Sequence, residues 1–185
     1  NNKSFKETDT LKPNSPYSSS KASAELILRS FYKTFDFKSI IVRPSNNFGP
    51  RQYEEKLIPL ALKKLKNNQP IPIYGKGKNK REWLYVEDCV NTIFNLLNSK
   101  INHGTYNIGS NKIISNIQLI KILIKEFKRL NKFKKNNSEL YKYVTDRLGH
   151  DFMYKLNLSK INKTKLLSKS NFNNNLIETI KYYLD

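Results

Sequence analysis

Short apolar runs of strand length alternate along this chain with longer segments of helical period. Asn14-Ser15-Pro16 is a helix-start signal, with Ser15 as N-cap and Pro16 at the first helical position. Ala22, Leu26, Ile27, Phe31 and Phe35 follow at helical spacing, and residues 38–43 then read as a short buried strand. The alternation continues with a helix over 56–67 and strands over 71–74 and 81–86 around the turn Gly75 to Asn79. A helix over 87–98 carries Val90, Ile93, Phe94 and Leu97 on one face, and 105–108 is a strand ended by Gly109. Ser115 caps a helix running to Leu130, with Ile117, Ile120, Leu123, Ile124 and Phe127 in register. A strand over 140–144 and two short helices near 158–167 and 174–184 close the chain, while Pro44 to Tyr53, residues 146–151 and Asn171 to Asn175 read as loops. Strands alternating with helices specify an α/β architecture.

The 185 residues allow one ordinary domain or two small interlocked ones, and 38% apolar residues suffice for a packed core. Apolar runs such as Ile40-Ile41-Val42 fall far short of the roughly 20 residues a helix needs to cross a bilayer. A single cysteine, Cys89, excludes an internal disulfide and a cysteine-built zinc site, and reads as a small apolar core residue. The expectation is a soluble protein of a reducing compartment, the cytoplasm. The formal charge of +19 raises nucleic-acid binding. Against it stand 28 Lys to only 6 Arg, beside 24 Asn and 18 Ile, a composition that codon drift produces. Base and phosphate readers lean on the arginine fork. The lysines are also spread along the chain, the densest cluster being Lys132 to Lys135 in an expected loop.

Chemistry enters with Tyr17 and Lys21. Spaced i, i+4 near a helix start, they share one face about 5–6 Å apart at Cβ. An ammonium beside a phenol favours the phenolate, which makes the pair a candidate general base. The pattern alone is weak: Tyr74 and Lys78 repeat it in a glycine-rich turn, where the spacing has no meaning.

An ordered series of motifs downstream of the pair gives it weight. Ser15-Pro16-Tyr17-Ser18-Ser19-Ser20-Lys21 precedes Arg43-Pro44-Ser45-Asn46-Asn47-Phe48-Gly49-Pro50, then Glu55-Lys56-Leu57-Ile58-Pro59 and Pro70-Ile71-Pro72-Ile73-Tyr74-Gly75-Lys76-Gly77. Arg81-Glu82-Trp83-Leu84-Tyr85-Val86-Glu87-Asp88, Thr105-Tyr106-Asn107-Ile108-Gly109 and Asp146-Arg147-Leu148-Gly149-His150-Asp151 complete the series. The set resembles the dTDP-glucose 4,6-dehydratase family, nucleotide-sugar lyases of the extended short-chain dehydrogenase/reductase superfamily. The match runs from about residue 4 to 185.

The resemblance implies a role for each matched position. Tyr17 corresponds to the tyrosine that accepts the proton of the sugar C4 hydroxyl. Lys21 corresponds to the lysine that supports it and bonds the nicotinamide ribose. Asn47 matches a cofactor contact and Asn46 a substrate contact. Lys56 and Leu57 match the segment against the nucleotide-sugar, and Pro72 and Tyr74 the strand over the nucleobase. Arg81 and Arg147 match the arginines on the diphosphate, where a guanidinium fork suits phosphate oxygens. Asn116 and His150 match further substrate contacts. The implied cofactor is NAD, the implied substrate dTDP-glucose or its UDP analogue, and the implied product a 4-keto-6-deoxy sugar nucleotide. A homodimer through long helices is implied as well, residues 16–35 supplying one helix.

Each position also has a plain structural reading. Tyr17 could pack on its helix face, Asn46 and Asn47 could serve a turn, and Tyr74 could be a half-buried sheet aromatic. Arg81 could pair with Glu82 or Asp88, Asn116 could be an ordinary early-helix residue, and His150 a solvated loop residue. Trp83 and Tyr85 read as core, and His103 has no assigned role.

Two family features have no match. No glycine-rich strand-to-helix turn is present, since Gly75-x-Gly77 lacks the third glycine and a following helix. Nor is the family's Thr-Asp-Glu segment, whose acids drive the water loss. Smaller departures are Leu148 for a customary proline, Ser110 for a glycine and no Gly-Trp segment in 166–172. The expectation is therefore the C-terminal part of an extended short-chain dehydrogenase, inactive alone. Residues 1–43 would be the remainder of the NAD-binding Rossmann domain. Residues 44–185 would be mainly a small α/β nucleotide-sugar domain, with about 86–109 returning to the Rossmann part. The alternatives are a sister enzyme of the superfamily (UDP-glucose dehydratase, epimerase or decarboxylase) and a non-catalytic basic remnant.

Overall fold

The computed structural model describes residues 4–131, 140–146, 153 and 155–184. In chain order the elements are α1 (Pro16–Phe35), β1 (Ile40–Pro44), β2 (Asn46–Phe48), α2 (Leu57–Lys66), β3 (Ile71–Tyr74), β4 (Lys80–Tyr85) and α3 (Val86–Leu97). They continue as β5 (Gly104–Ile108), β6 (Ile113–Ser115), α4 (Asn116–Asn131), β7 (Tyr141–Val144), α5 (Ser159–Thr164) and α6 (Phe172–Leu184). The α/β alternation expected from the sequence is what the chain adopts.

The start of α1 is built as its sequence dictates. Ser15 is extended, its Oγ accepts the Ser18 N–H at 3.2 Å, and the Ser15 N–H donates to Ser18 Oγ at 3.0 Å. This reciprocal cap satisfies an otherwise orphaned helix donor. Asp36 ends the helix in the left-handed region at φ 50°. β1 then runs back along α1 and pairs in parallel with β5, from Ile40 opposite Gly104 to Pro44 opposite Ile108. Among the described residues β1 pairs with β5 alone.

Two strands went unread in the sequence. Within the expected Pro44–Tyr53 loop, β2 forms a parallel ladder with β4, Asn46 opposite Trp83 and Phe48 opposite Tyr85. β6 pairs antiparallel with the other edge of β4. Both have three residues, too few to show a period; in β2 two of them are asparagine, a poor strand former, so β4 imposes a conformation that propensity does not, whereas Ile113 and Ile114 of β6 favour a strand. The strands flanking the Gly75–Asn79 turn do not pair with each other. β3 joins β7 in parallel, while β4 is the centre of the β2-β4-β6 sheet.

Alternation along β4 divides the core. Trp83 and Tyr85 join a cluster with Phe48, the buried faces of α2 and α4, and Leu176 and Ile180 of α6. Leu84, pointing the other way, joins Cys89, Leu96, Tyr106, Ile108, Leu158 and Ile161. Trp83, Tyr85 and Cys89 are thus core residues, as read from the sequence. The C-terminal arm is tied to α3 through Asp88. Its carboxylate accepts Ser170 Oγ–H at 2.7 Å, Ser170 N–H at 3.1 Å and Ser168 Oγ–H at 3.2 Å.

Candidate functional site

The first turn and a half of α1 presents Tyr17 and Lys21 on one face. The Lys21 ammonium sits 5.7 Å from the centroid of the Tyr17 ring, and Tyr17 is 71% exposed. The i, i+4 spacing therefore brings a phenol and a cation together on an open surface. Because α1 and β1 run in opposite directions, the N-terminus of α1 lies toward the Pro44 end of β1, the carboxyl end of the parallel pair. Open α/β sheets bind ligands outside these carboxyl ends. Arg43 fixes the arrangement, its Nε donating to Glu25 Oε2 at 3.0 Å while its Nη2 contacts Glu25 Oε1.

Asn46 and Asn47 follow directly from that strand end. Asn46 is exposed, whereas Asn47 turns inward and its side-chain oxygen is buried with no hydrogen-bond partner. The Asn47 amide lies beside the Cys89 thiol, whose pKa burial pushes up and the Asn47 hydrogen bond partly restores. Gln52 Nε2 donates to the Asn47 carbonyl at 2.8 Å, and Tyr183 of α6 donates its hydroxyl to the Gln52 carbonyl at 2.7 Å. This chain of bonds steadies the loop leading to Lys56 and Leu57. Lys56 is the exposed N-cap of α2, ion-paired with Glu55 at 3.2 Å, and Leu57 begins the helix.

The remaining candidates gather around the start of α4. Pro72 and Tyr74 are half-buried on β3, opposite Lys142 and Val144 of β7. The turn after Tyr74 holds Gly75 at φ 55° and Gly77 at φ 64°, conformations that favour glycine. That turn packs on α4: the Asn116 N–H donates to the Asn79 carbonyl and the Ile117 N–H to the Gly77 carbonyl, each at 3.0 Å. Arg81 lies opposite Ile114 on β6, two residues before Asn116, and is 9% exposed with Nη1 donating to the Lys80 carbonyl at 2.8 Å. Arg81, Asn116 and Tyr74 are thereby joined through one turn and one ladder. The carboxylates of Glu82 and Asp88 hydrogen-bond backbone N–H and serine groups, not Arg81. Arg147 and His150, with Lys132 to Lys135, lie outside the described residues.

A wide cleft lies elsewhere. About 750 Å³ opens between the N-terminal segment, α1 and the β1–β5 pair, lined by Glu7, Asp9, Glu25, Arg29 and Lys160 among others. Neither Tyr17 nor Lys21 lines it. His103, beside it, stacks on Tyr32 with centroids 3.7 Å apart, a packing role. Among the described residues no cluster of side chains suits a metal ion.

A sequence profile of the NAD dependent epimerase/dehydratase family matches residues 1–109, more than half of the chain. This chain belongs to that family. Within the epimerase/dehydratase family, it is 36% identical over 186 residues to the dTDP-glucose 4,6-dehydratase of Neisseria gonorrhoeae, covering 98% of this chain and 54% of that protein. Its fold matches DesIV, a dTDP-glucose 4,6-dehydratase of Streptomyces venezuelae solved with NAD bound. The TM-score is 0.92 at 32% identity, over 100% of this chain and 55% of the other. The dTDP-glucose 4,6-dehydratase of Bacillus anthracis, solved in complex with NAD, gives a TM-score of 0.89 at 39% identity, over 98% of this chain and 56% of the other. The chain thus spans about half the length of the epimerase/dehydratase relatives it matches.

Proposed function

We propose that this chain carries the tyrosine–lysine pair and the nucleotide-sugar half of an NAD-dependent 4,6-dehydratase acting on dTDP-glucose. The observation that carries the reading is the Tyr17–Lys21 pair, held on one open helical face at the carboxyl end of a parallel strand pair. The likeness to dTDP-glucose 4,6-dehydratases along the whole chain supports it.

The residues fit a bound dinucleotide. Tyr17 and Lys21 offer a phenol and an ammonium at one exposed place, and the partnerless Asn47 oxygen is an acceptor awaiting a donor. Bound NAD supplies reversible hydride chemistry at the sugar. Tyr17 accepts the proton of the C4 hydroxyl as that carbon is oxidised, with the Lys21 ammonium beside it on the same helical face. Arg81 and Arg147 hold the diphosphate, Tyr74 and Pro72 border the base, and Asn46, Lys56, Leu57, Asn116 and His150 orient the sugar nucleotide. The acids for loss of water at C5 and C6 belong to the part of the relatives this chain does not span.

In this reading residues 1–43 and about 86–109 belong to the cofactor-binding unit and the rest mainly to the substrate unit, with Leu84, Leu158 and Ile161 packing in one cluster with Cys89 and Tyr106. The exposed Ile27, Phe31 and Phe35 of α1 support a homodimer through this helix, since a packed partner would remove them from water. A cytoplasmic enzyme is part of the same proposal, and among the described residues no helix is long and apolar enough to cross a membrane.

Calorimetric titration of the chain with thymidine diphosphate and uridine diphosphate tests the substrate side. Binding of the thymidine form, tighter than the uridine form, is expected. Absence of binding to either would end the nucleotide-sugar reading.

A further inference from the structure

A buried acid that the proposed chemistry does not use stands beside Arg81. Glu82 is 1% exposed. Its Oε1 accepts the Asn111 N–H at 2.8 Å and its Oε2 accepts the Leu156 N–H at 3.1 Å. Among the described residues no lysine, arginine or histidine forms an ion pair with it. Gly109 passes so close that a Cβ there would collide with Glu82 Oε1 and lie 2.9 Å from its carboxyl carbon. The same turn is bonded to the next residue of β4: the Trp83 N–H donates to the Lys112 carbonyl at 2.9 Å, and Ser110 Oγ–H to the Trp83 carbonyl at 2.6 Å.

Burying a carboxylate is costly, and an apolar side chain would fill the place at less expense. What a carboxylate offers here is two acceptor oxygens facing two backbone N–H donors from distant parts of the chain. Charge-assisted bonds of this kind are stronger than neutral ones and fix geometry. The turn at 109–112 leads into β6 and Asn116, and β4 carries Arg81. The Leu156 segment also runs beside β4, with Met153 bridging Lys80.

We propose that Glu82 is a positioning residue, a two-pronged strut that locks β4, the 109–112 turn and the Leu156 segment together and so sets the spacing between Arg81 and Asn116. Its effect on ligand binding rests on the nucleotide-sugar reading above; the locking itself does not. Glutamine cannot replace it, because its amide brings an N–H where an acceptor is needed. Aspartate keeps both acceptors on a shorter stem.

The test compares Glu82→Gln, Glu82→Asp, Gly109→Ala and, as a core truncation away from the site, Ile180→Ala. Amide hydrogen exchange and thymidine diphosphate affinity are read well below each variant's unfolding temperature. Glu82→Gln should speed exchange at Asn111 and Leu156 and weaken affinity by about tenfold, the scale of one lost charge-assisted hydrogen bond. Glu82→Asp should recover more than half of that loss. Gly109→Ala, which keeps the charge but displaces it, should reproduce the Glu82→Gln pattern and serves if Glu82→Gln does not fold. Ile180→Ala should lower stability and leave affinity within about twofold. Unchanged exchange at Asn111 and Leu156 in Glu82→Gln would overturn the strut, as would equal affinity losses in Glu82→Gln and Ile180→Ala. If the unsubstituted chain binds no thymidine diphosphate while the exchange pattern appears as expected, the strut stands and the nucleotide reading falls.

Discussion

The Arg43 guanidinium meets the Glu25 carboxylate with two of its nitrogens, and both side chains are largely withdrawn from water. Arg43 is on β1 and Glu25 midway along α1, so the pair clamps the helix that bears Tyr17 and Lys21 to the strand beneath it. No residue of α1 is fully buried, which leaves the clamp a large share of the attachment. Glu25→Gln should cost about 1.5–3 kcal/mol, the range for hydrogen bonds to charged groups. It should raise amide exchange along α1 ahead of the rest of the chain. Uniform exchange in wild type and variant would show that the clamp is dispensable.

Tyr17→Phe tests the chemistry. In a polypeptide that also carries the half of the fold present in the relatives, the substitution should lower kcat by about 100-fold or more with KM little changed, the usual scale for losing a general base. Lys21→Met should lower it similarly and weaken NAD binding as well. The 185-residue chain by itself should release no 4-keto sugar from dTDP-glucose. Turnover by the chain alone, or near-normal kcat in Tyr17→Phe, removes the proposed role.

Tyr85 makes stability depend on alkaline pH. Burial, then the carboxylates of Glu178, Glu87 and Asp88, push its pKa up to about 12 from the ordinary 10.0. The folded chain therefore keeps this phenol protonated where the unfolded chain has lost the proton. The stabilisation is complete below about pH 10 and disappears as pH rises through about 12, a loss of up to about 2–3 kcal/mol. Urea unfolding at pH 9, 10 and 11 should show the stability gap between wild type and Tyr85→Phe moving against wild type as pH rises. A gap independent of pH would contradict this.

Asp88→Ala should release the C-terminal arm. Three hydrogen bonds from Ser168 and Ser170 converge on this carboxylate, leaving in the variant, among the described residues, only the Ser168 N–H to Thr92 Oγ1 and the Asn95 Nδ2 to Leu166 carbonyl bonds between α3 and this stretch. Limited proteolysis should cut near 166–171 in the variant at protease levels that leave wild type intact.

The long helices were legible because period and punctuation agreed. Ser15-Pro16 opens α1, and the apolar register of α4 continues for four turns behind a Ser115 cap whose Oγ accepts the Gln118 N–H. The pairing of Tyr17 with Lys21 was legible for the same reason, since helical spacing alone brings i and i+4 together. β2 and β6 were not, because three residues carry no period, and the conformation of β2 is imposed by β4. Glu82 was beyond reach in a different way. An acid in a strand reads as solvent-facing until Asn111 and Leu156, 29 and 74 positions along the chain, close on it from two sides. Its neighbour Arg81 suggested an ion pair, where the fold supplied backbone amides.

The lone pairing of β1 has a material consequence. Among the described residues one margin of Ile40–Pro44 has no strand partner, and α1 leaves Ile27, Phe31 and Phe35 exposed while α3 leaves Val90, Phe94 and Leu97 exposed. Such a margin is a template for strand addition, and the abundant lysines that keep the chains apart do so only while salt is low. Concentrated preparations in high salt should therefore turn cloudy first, with this seam as the place where one molecule sticks to the next.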